Sequence, residues 1–309
     1  MTEAVIFPGQ GAQFEGMGRD WCEAFPTAKA TFEEADRILG FSLSDACWNQ
    51  GPAVNRTDIA QPGILTTSVA VVRVLEEQGL DRSQASLTAG LSLGEYSALW
   101  FAGALSFEDA LRLVRLRGEA MQSAAEATPS SMTSLVGADL EQARALAAVG
   151  SEAGICAVAN INAPGQIILS GEVVALEKAE SAAKEHGVRR TRRLVVAGGF
   201  HSECMRPAAG RLAEALAEVK IEAPKLPFLT NVTGAEVEDP ELIRSHLAEQ
   251  VCSSVLWEQS MRRALELGVR SFLEPAPGKV LAGILGRIDG EAQVRSAATP
   301  DELARAAEA

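Results

Sequence analysis

Ser92 stands in Gly-Leu-Ser-Leu-Gly, residues 90–94, after a β-prone run from Leu87 and before a helical run from Glu95. That order predicts a strand entering a tight turn that opens a helix, the setting in which Gly-x-Ser-x-Gly lifts a serine hydroxyl clear of the backbone. The glycines remove side chains where strand and helix must approach closely. The turn also places the hydroxyl at the positive end of a helix, where developing negative charge is favoured. A serine so placed needs a base. Of the three histidines, His201 follows a predicted strand and the pair Gly198-Gly199, at an exposed strand end; His186 falls at a helix end and His246 in a charged helix.

A third chemical group comes from helical phasing. In the predicted helix from Ser106 to about Ala125, Ala110, Leu113, Val114, Gly118 and Met121 share one face at ~100° per residue, and Arg117 falls within that apolar arc. A buried cation needs an anionic partner. Two readings stand: an internal salt bridge or snorkelling to the surface, or a bidentate clamp for a substrate carboxylate. The turn after Phe7, Pro8-Gly9-Gln10-Gly11, leaves backbone N–H groups free for an oxygen anion. Together these groups suit acyl transfer: Ser92 attacks a thioester carbonyl, His201 takes its proton, and amides of Leu93 and the Gln10 turn hold the oxyanion. No aspartate is well placed as a third triad member.

The elements that must position these groups divide the 309 residues into two units. Strands at 4–7, 87–90, 228–232 and 271–273 alternate with helices at 26–39, 62–78, 205–219 and 241–266, the last broken near Ser253-Ser254, which predicts a mainly parallel α/β sheet. Ligands of such sheets lie at the carboxyl ends of strands. Between them, residues 129–196 read strand, helix, strand, strand, helix, strand, an inserted ferredoxin-like subdomain. The main unit is then 1–128 with 197–309. Asn160 and Asn162 are placed with Pro164-Gly165 in a hairpin turn. Residues from about Glu291 read as a polar tail.

Hydrophobic content of 47% and charged content of 22% are ordinary for globular proteins. A net charge of −13 opposes binding to nucleic acid or anionic membranes. Arg189, Arg190, Arg192 and Arg193 form the one dense basic cluster, either a solvated strand edge or a docking patch for an acidic protein. No apolar run approaches the ~18 residues of a membrane span. Five scattered cysteines without a CxxC suit a reducing cytoplasm, and three histidines without HExxH argue against a metal site. No exposed amphipathic stripe asks for a second copy, so a monomer is expected.

The chain resembles the malonyl-CoA:acyl carrier protein transacylases, discrete acyltransferases of fatty acid and polyketide synthesis. The likeness covers nearly its whole length. It rests on Phe7–Gln13 (Phe-Pro-Gly-Gln-Gly-Ala-Gln), Gly90–Tyr96 (Gly-Leu-Ser-Leu-Gly-Glu-Tyr), Arg115–Gln122, Asn162–Gln166, Phe200–Ser202 and Pro275–Leu281. The resemblance implies an α/β-hydrolase-like core with the small subdomain over the cleft, and a Ser92–His201 dyad. It further implies an imidazole oriented by the backbone carbonyl of Gln250, an oxyanion hole from the amides of Gln10 and Leu93, and Arg117 as the carboxylate clamp. Phe200, Asn160 and Asn162 would line the pocket. Malonyl would pass from CoA to Ser92 and on to the phosphopantetheine thiol of an acyl carrier protein, with no metal or redox cofactor. Two positions depart from the common bacterial pattern: Leu91 where the family usually has histidine, and Phe200 where fatty-acid members often carry serine. Phe200 should crowd a 2-methyl branch. Competing readings are an editing acyl-thioester hydrolase on the same scaffold, and a docking protein with a degenerate site.

Overall fold

A computed structural model describes residues 3–275 and 277–302. In chain order the elements of the first part are β1 (Ala4–Phe7), α1 (Arg19–Ala24), α2 (Pro26–Leu39), α3 (Leu43–Trp48), α4 (Thr57–Glu77), β2 (Thr88–Gly90), α5 (Gly94–Phe101) and α6 (Phe107–Ala127). The middle holds β3 (Ser130–Val136), α7 (Leu140–Ser151), β4 (Cys156–Ala163), β5 (Gln166–Glu172), α8 (Val173–Ala182) and β6 (Arg190–Arg193). The last part holds α9 (Arg206–Glu218), β7 (Phe228–Leu229), α10 (Pro240–Gln250), α11 (Trp257–Glu266), β8 (Ser271–Glu274), α12 (Val280–Ile288) and β9 (Gln293–Ser296).

Two sheets result. The first runs β7-β2-β1-β8-β9, and every pairing in it is parallel. Its central strand β1 is Ala-Val-Ile-Phe and fully buried, as a parallel sheet covered by helices requires. The second is antiparallel in the order β4-β5-β3-β6 and is built wholly from residues 130–193. Its order is that of a ferredoxin-like βαββαβ unit, so the α/β class with a mainly parallel sheet and a small antiparallel one holds. A separate apolar cluster packs beneath it, with Leu135, Leu146, Leu169 and Leu176 at its centre.

Four local expectations need correction. Helix α4 begins at Thr57 and carries Pro62 in its interior. A proline there removes the N–H that would bond the carbonyl of Asp58; Arg115 Nη1 donates to that carbonyl instead, at 2.5 Å. Asn160 and Asn162 lie within β4, and only Pro164 and Gly165 remain for the turn. The strand expected to close the 129–196 unit is Arg190–Arg193 and stops short of residue 196, because its pairing with β3 runs only from Val136↔Arg190 to Thr133↔Arg193. Part of the expected tail is ordered: β9 adds to the sheet edge in register with β8, and Val294 packs against the apolar side of that layer. The rest of the tail, residues 303–309, and Ala276 of the Pro275–Leu281 motif lie outside the described residues.

Candidate active site

Register alone brings most of the site together. Strands β1 and β2 pair with Phe7 opposite Gly90, and β2 and β7 with Ala89 opposite Leu229. The chain therefore leaves the carboxyl ends of three neighbouring strands at one level. Gln10 lies three residues past β1, Ser92 two past β2 and Asn231 two past β7. A Cβ on Gly94 would lie 2.1 Å from the Phe7 carbonyl oxygen, so only glycine lets α5 start this close to β1.

Ser92 has φ 52° and His201 φ 59°, the only non-glycine residues with positive φ among the described residues. Such conformations cost roughly 1–3 kcal/mol each and persist where the surroundings fix them. The Ser92 turn is fixed on both sides. Its N–H donates to Asn231 Oδ1 at 2.6 Å, and its carbonyl accepts from Gln250 Nε2 at 3.0 Å. Asn231 Nδ2 also donates to the Gly90 carbonyl at 2.7 Å.

Ser92 Oγ lies 2.8 Å from His201 Nε2, and His201 Nδ1 lies 2.8 Å from the backbone carbonyl of Gln250. A carbonyl only accepts, so Nδ1 carries the proton and Nε2 is left to accept from the serine hydroxyl. Both side chains are buried. Burial and the nearby Arg117 charge push the imidazole down to about 4, against the Gln250 carbonyl, which favours its charged form. At neutral pH the ring is uncharged, with Nε2 free to accept a proton.

Arg117 is 1% exposed. It projects from α6 between α4 and the Ser92 turn, where Nη1 donates to Gln61 Oε1 at 2.8 Å. Nη2 donates to Ser92 Oγ at 3.0 Å and to Gln250 Oε1 at 2.9 Å. Its Nε is buried without a partner among the described residues. Arg117 does not snorkel to the surface, and no carboxylate among the described residues bonds it directly. A guanidinium whose acceptors are all uncharged is disposed to take an anion.

The amides of Gln10 and Leu93 make no hydrogen bond among the described residues, while Gln10 Nε2 reaches Thr57 Oγ1 at 3.5 Å. Phe200 is buried beside His201, and the next amide, Gly199 N–H, is tied to Ser130 Oγ at 2.9 Å. Asn160 and Asn162 are buried on β4, which meets the segment after α10 through a bridge from Asn160 to Val255. Neither side chain bonds the dyad, and Asn162 Oδ1 has no partner among the described residues. Leu91 lies in the apolar cluster with Leu229 and Met261. In the basic cluster Arg193 is paired with Glu180, whereas Arg189, Arg190 and Arg192 are exposed on the β6 edge. Among the described residues no group of His, Cys, Asp and Glu could hold a metal ion. No helix there is long and apolar enough to cross a membrane.

Three polar residues were not anticipated: Gln61, Glu95 and Asn231, all fully buried. A side-chain role for Gln250 was missed as well. Polar residues inside apolar stretches were the available signal, since Gln61 sits in a helix otherwise buried all round and Glu95 follows the nucleophile in an apolar helix. Asn231 carries no such signal, because a loop asparagine after a strand has many ordinary uses.

Comparison with known proteins gives a consistent picture. The acyl transferase domain family matches residues 5–299. The malonyl CoA-acyl carrier protein transacylase of Bacillus subtilis is 40% identical over 303 residues, covering 97% of this chain and 94% of that protein. The crystal structure of an acyl-carrier-protein-S-malonyltransferase from Bartonella henselae superposes with a TM-score of 0.95 at 40% identity, covering 100% and 99% of the two chains. A malonyl-transacylase solved in complex with its type II PKS acyl-carrier protein gives 0.94 at 37% identity, covering 100% and 99%.

Proposed function

The chain belongs to the acyl transferase family, among the malonyl CoA-acyl carrier protein transacylases, and from that premise we propose how its residues carry the reaction. It is an acyltransferase that moves malonyl from CoA to an acyl carrier protein, in fatty acid or polyketide synthesis. Ser92 is the nucleophile and His201 the base. Nε2 takes the hydroxyl proton as Oγ attacks the thioester carbonyl. The amides of Gln10 and Leu93 receive the oxyanion, and the Gln250 carbonyl steadies the imidazolium that forms. Collapse breaks the carbon–sulfur bond; the CoA thiolate takes the proton from Nε2 and leaves malonyl-Ser92. The carrier's phosphopantetheine thiol then gives its proton to His201 and attacks the ester, and Ser92 leaves with that proton.

Arg117 grips the malonyl carboxylate: its Nε has no partner among the described residues, Nη1 has one N–H beyond the one given to Gln61, and Nη2 exchanges its Ser92 bond for a substrate oxygen. Phe200, Asn160 and Asn162 line the acyl pocket, and residues 129–196 form a small unit over the cleft of a core made from 1–128 and 197–309. The enzyme works as a cytoplasmic monomer, without metal or redox cofactor. The carrying observation is the continuous line from Arg117 through Ser92 and His201 to Gln250, every link between 2.8 and 3.0 Å.

Incubation with malonyl-CoA followed by intact mass, then addition of holo acyl carrier protein, tests the reading. A malonyl adduct on Ser92 that persists in water and leaves rapidly for the carrier is expected. An adduct that decays equally fast without carrier makes the enzyme a hydrolase, and no adduct makes the site degenerate.

A further inference from the structure

Beneath the dyad lies one carboxylate that the reaction as described does not use. Glu95 is the second residue of α5 and is 0% exposed. Its Oε1 accepts from the Asn231 backbone N–H at 2.5 Å, and its Oε2 accepts from Gln250 Nε2. Gln250 is thereby fixed in one sense: its NH2 faces Glu95 and the Ser92 carbonyl, so its Oε1 must face Arg117 Nη2. Every oxygen bonded to Arg117 among the described residues belongs to an uncharged group, and Glu95 is the carboxylate that reaches it through one intervening side chain, Gln250. A buried guanidinium without compensating charge is costly.

We propose that Glu95 is a positioning residue: its negative charge, relayed through the side-chain amide of Gln250, holds Arg117 in the orientation that receives the substrate carboxylate. This rests on the transacylase reading above. An isosteric glutamine at position 95 removes the charge and breaks the relay. Its amide oxygen satisfies one donor, but its NH2 then meets the other, and Gln250 is free to turn its own NH2 toward Arg117.

Wild-type, Glu95→Gln, Arg117→Ala and the double variant are compared at about pH 8, where Glu95 is ionised, for Ser92 acylation by malonyl-CoA and by acetyl-CoA, with thermal denaturation at the same pH. Wild-type malonylation is the control for the underlying reading; its absence sinks that reading and not merely this one. With the control intact, Glu95→Gln lowers kcat/KM for malonyl-CoA by roughly tenfold or more, the size of a contact-range coupling, and for acetyl-CoA by less than about threefold. In the Arg117→Ala background the same substitution does little on either substrate. The Tm lost in Glu95→Gln returns in the double variant, because neither charge is then left alone; this readout stands even where the single variant folds poorly. Equal losses on both substrates, additive losses in the double variant, or no return of Tm would make Glu95 a support for the nucleophile turn and overturn the proposal.

Discussion

Arg117 and Ser92 share a hydrogen bond of 3.0 Å, so the hydroxyl that points its proton at His201 also accepts one from a guanidinium. A carboxylate seated on Arg117 would sit within reach of Ser92, and on the proposed mechanism that separation couples recognition of the acyl group to its activation. Arg117→Ala should therefore lower kcat/KM for malonyl-CoA by about 30- to 100-fold, equivalent to roughly 2–3 kcal/mol of charge-assisted bonding. Acetyl-CoA has no carboxylate to lose and should change by less than about threefold. Steady-state kinetics on both esters decide it; equal losses would make Arg117 structural.

Phe200 precedes His201, and both are buried. We expect the wild-type enzyme to favour malonyl-CoA over methylmalonyl-CoA, because a 2-methyl group needs room that a phenyl ring occupies. Phe200→Ser should raise the relative use of methylmalonyl-CoA by roughly tenfold, the scale of one methyl group in an apolar pocket. A wild-type ratio of kcat/KM near one would sink this idea.

His201 and Glu95 pull stability in opposite directions with pH. Burial and Arg117 hold His201 down to about 4, so its contribution is present above its unfolded value of 6.5 and is lost as pH falls toward 4. Burial raises Glu95 to about 7 despite its donors, so its contribution is present below 4.5 and is lost as pH rises through 7. Between pH 4.5 and 6.5 the two slopes oppose each other. Glu95→Gln removes one of them, so the Tm of the variant minus that of wild type should rise with pH across this window. Parallel melting curves from calorimetry at pH 4.5, 5.5 and 6.5 would refute it.

Gly94→Ala should abolish acylation and depress Tm, because its Cβ would lie 2.1 Å from a backbone carbonyl of the central strand. Neither backbone has a flexible side chain to yield, so the strain falls on the nucleophile turn itself. Circular dichroism with a serine-directed probe measures both effects; an alanine variant with native Tm and full labelling of Ser92 would contradict it.

Much of this site was legible from one dimension because its parts sit at punctuation marks. Ser92 stands between glycines, His201 follows a strand and a glycine pair, and Arg117 breaks an apolar stripe at fixed helical phase. The overall order of strands and helices followed from periodicity. What stayed hidden depends on distant partners. Pro62 reads as a helix start until Arg115 is seen to occupy the carbonyl that it frees. Asn231 and Ser92 are 139 residues apart in sequence, and only strand register shows them to be neighbours. The edge strand β9 is four residues of mixed polarity, and such a segment becomes a strand only because β8 offers it an edge.

The sheet order also sets a schedule for the growing chain. Strand β1 is made first and lies at the centre, yet its partner β8 comes from residues 271–274, after the whole antiparallel sheet has been synthesised. Contacts of such long sequence separation close slowly. The proposed nucleophile, Ser92, is translated in the first third of the chain, while His201, the Gln250 carbonyl and Asn231 all come later. A nascent or truncated chain thus carries Ser92 as an ordinary alcohol. On the proposed mechanism, acyl chemistry begins only when the second half of the polypeptide has docked, which makes catalytic competence a late reporter of complete folding.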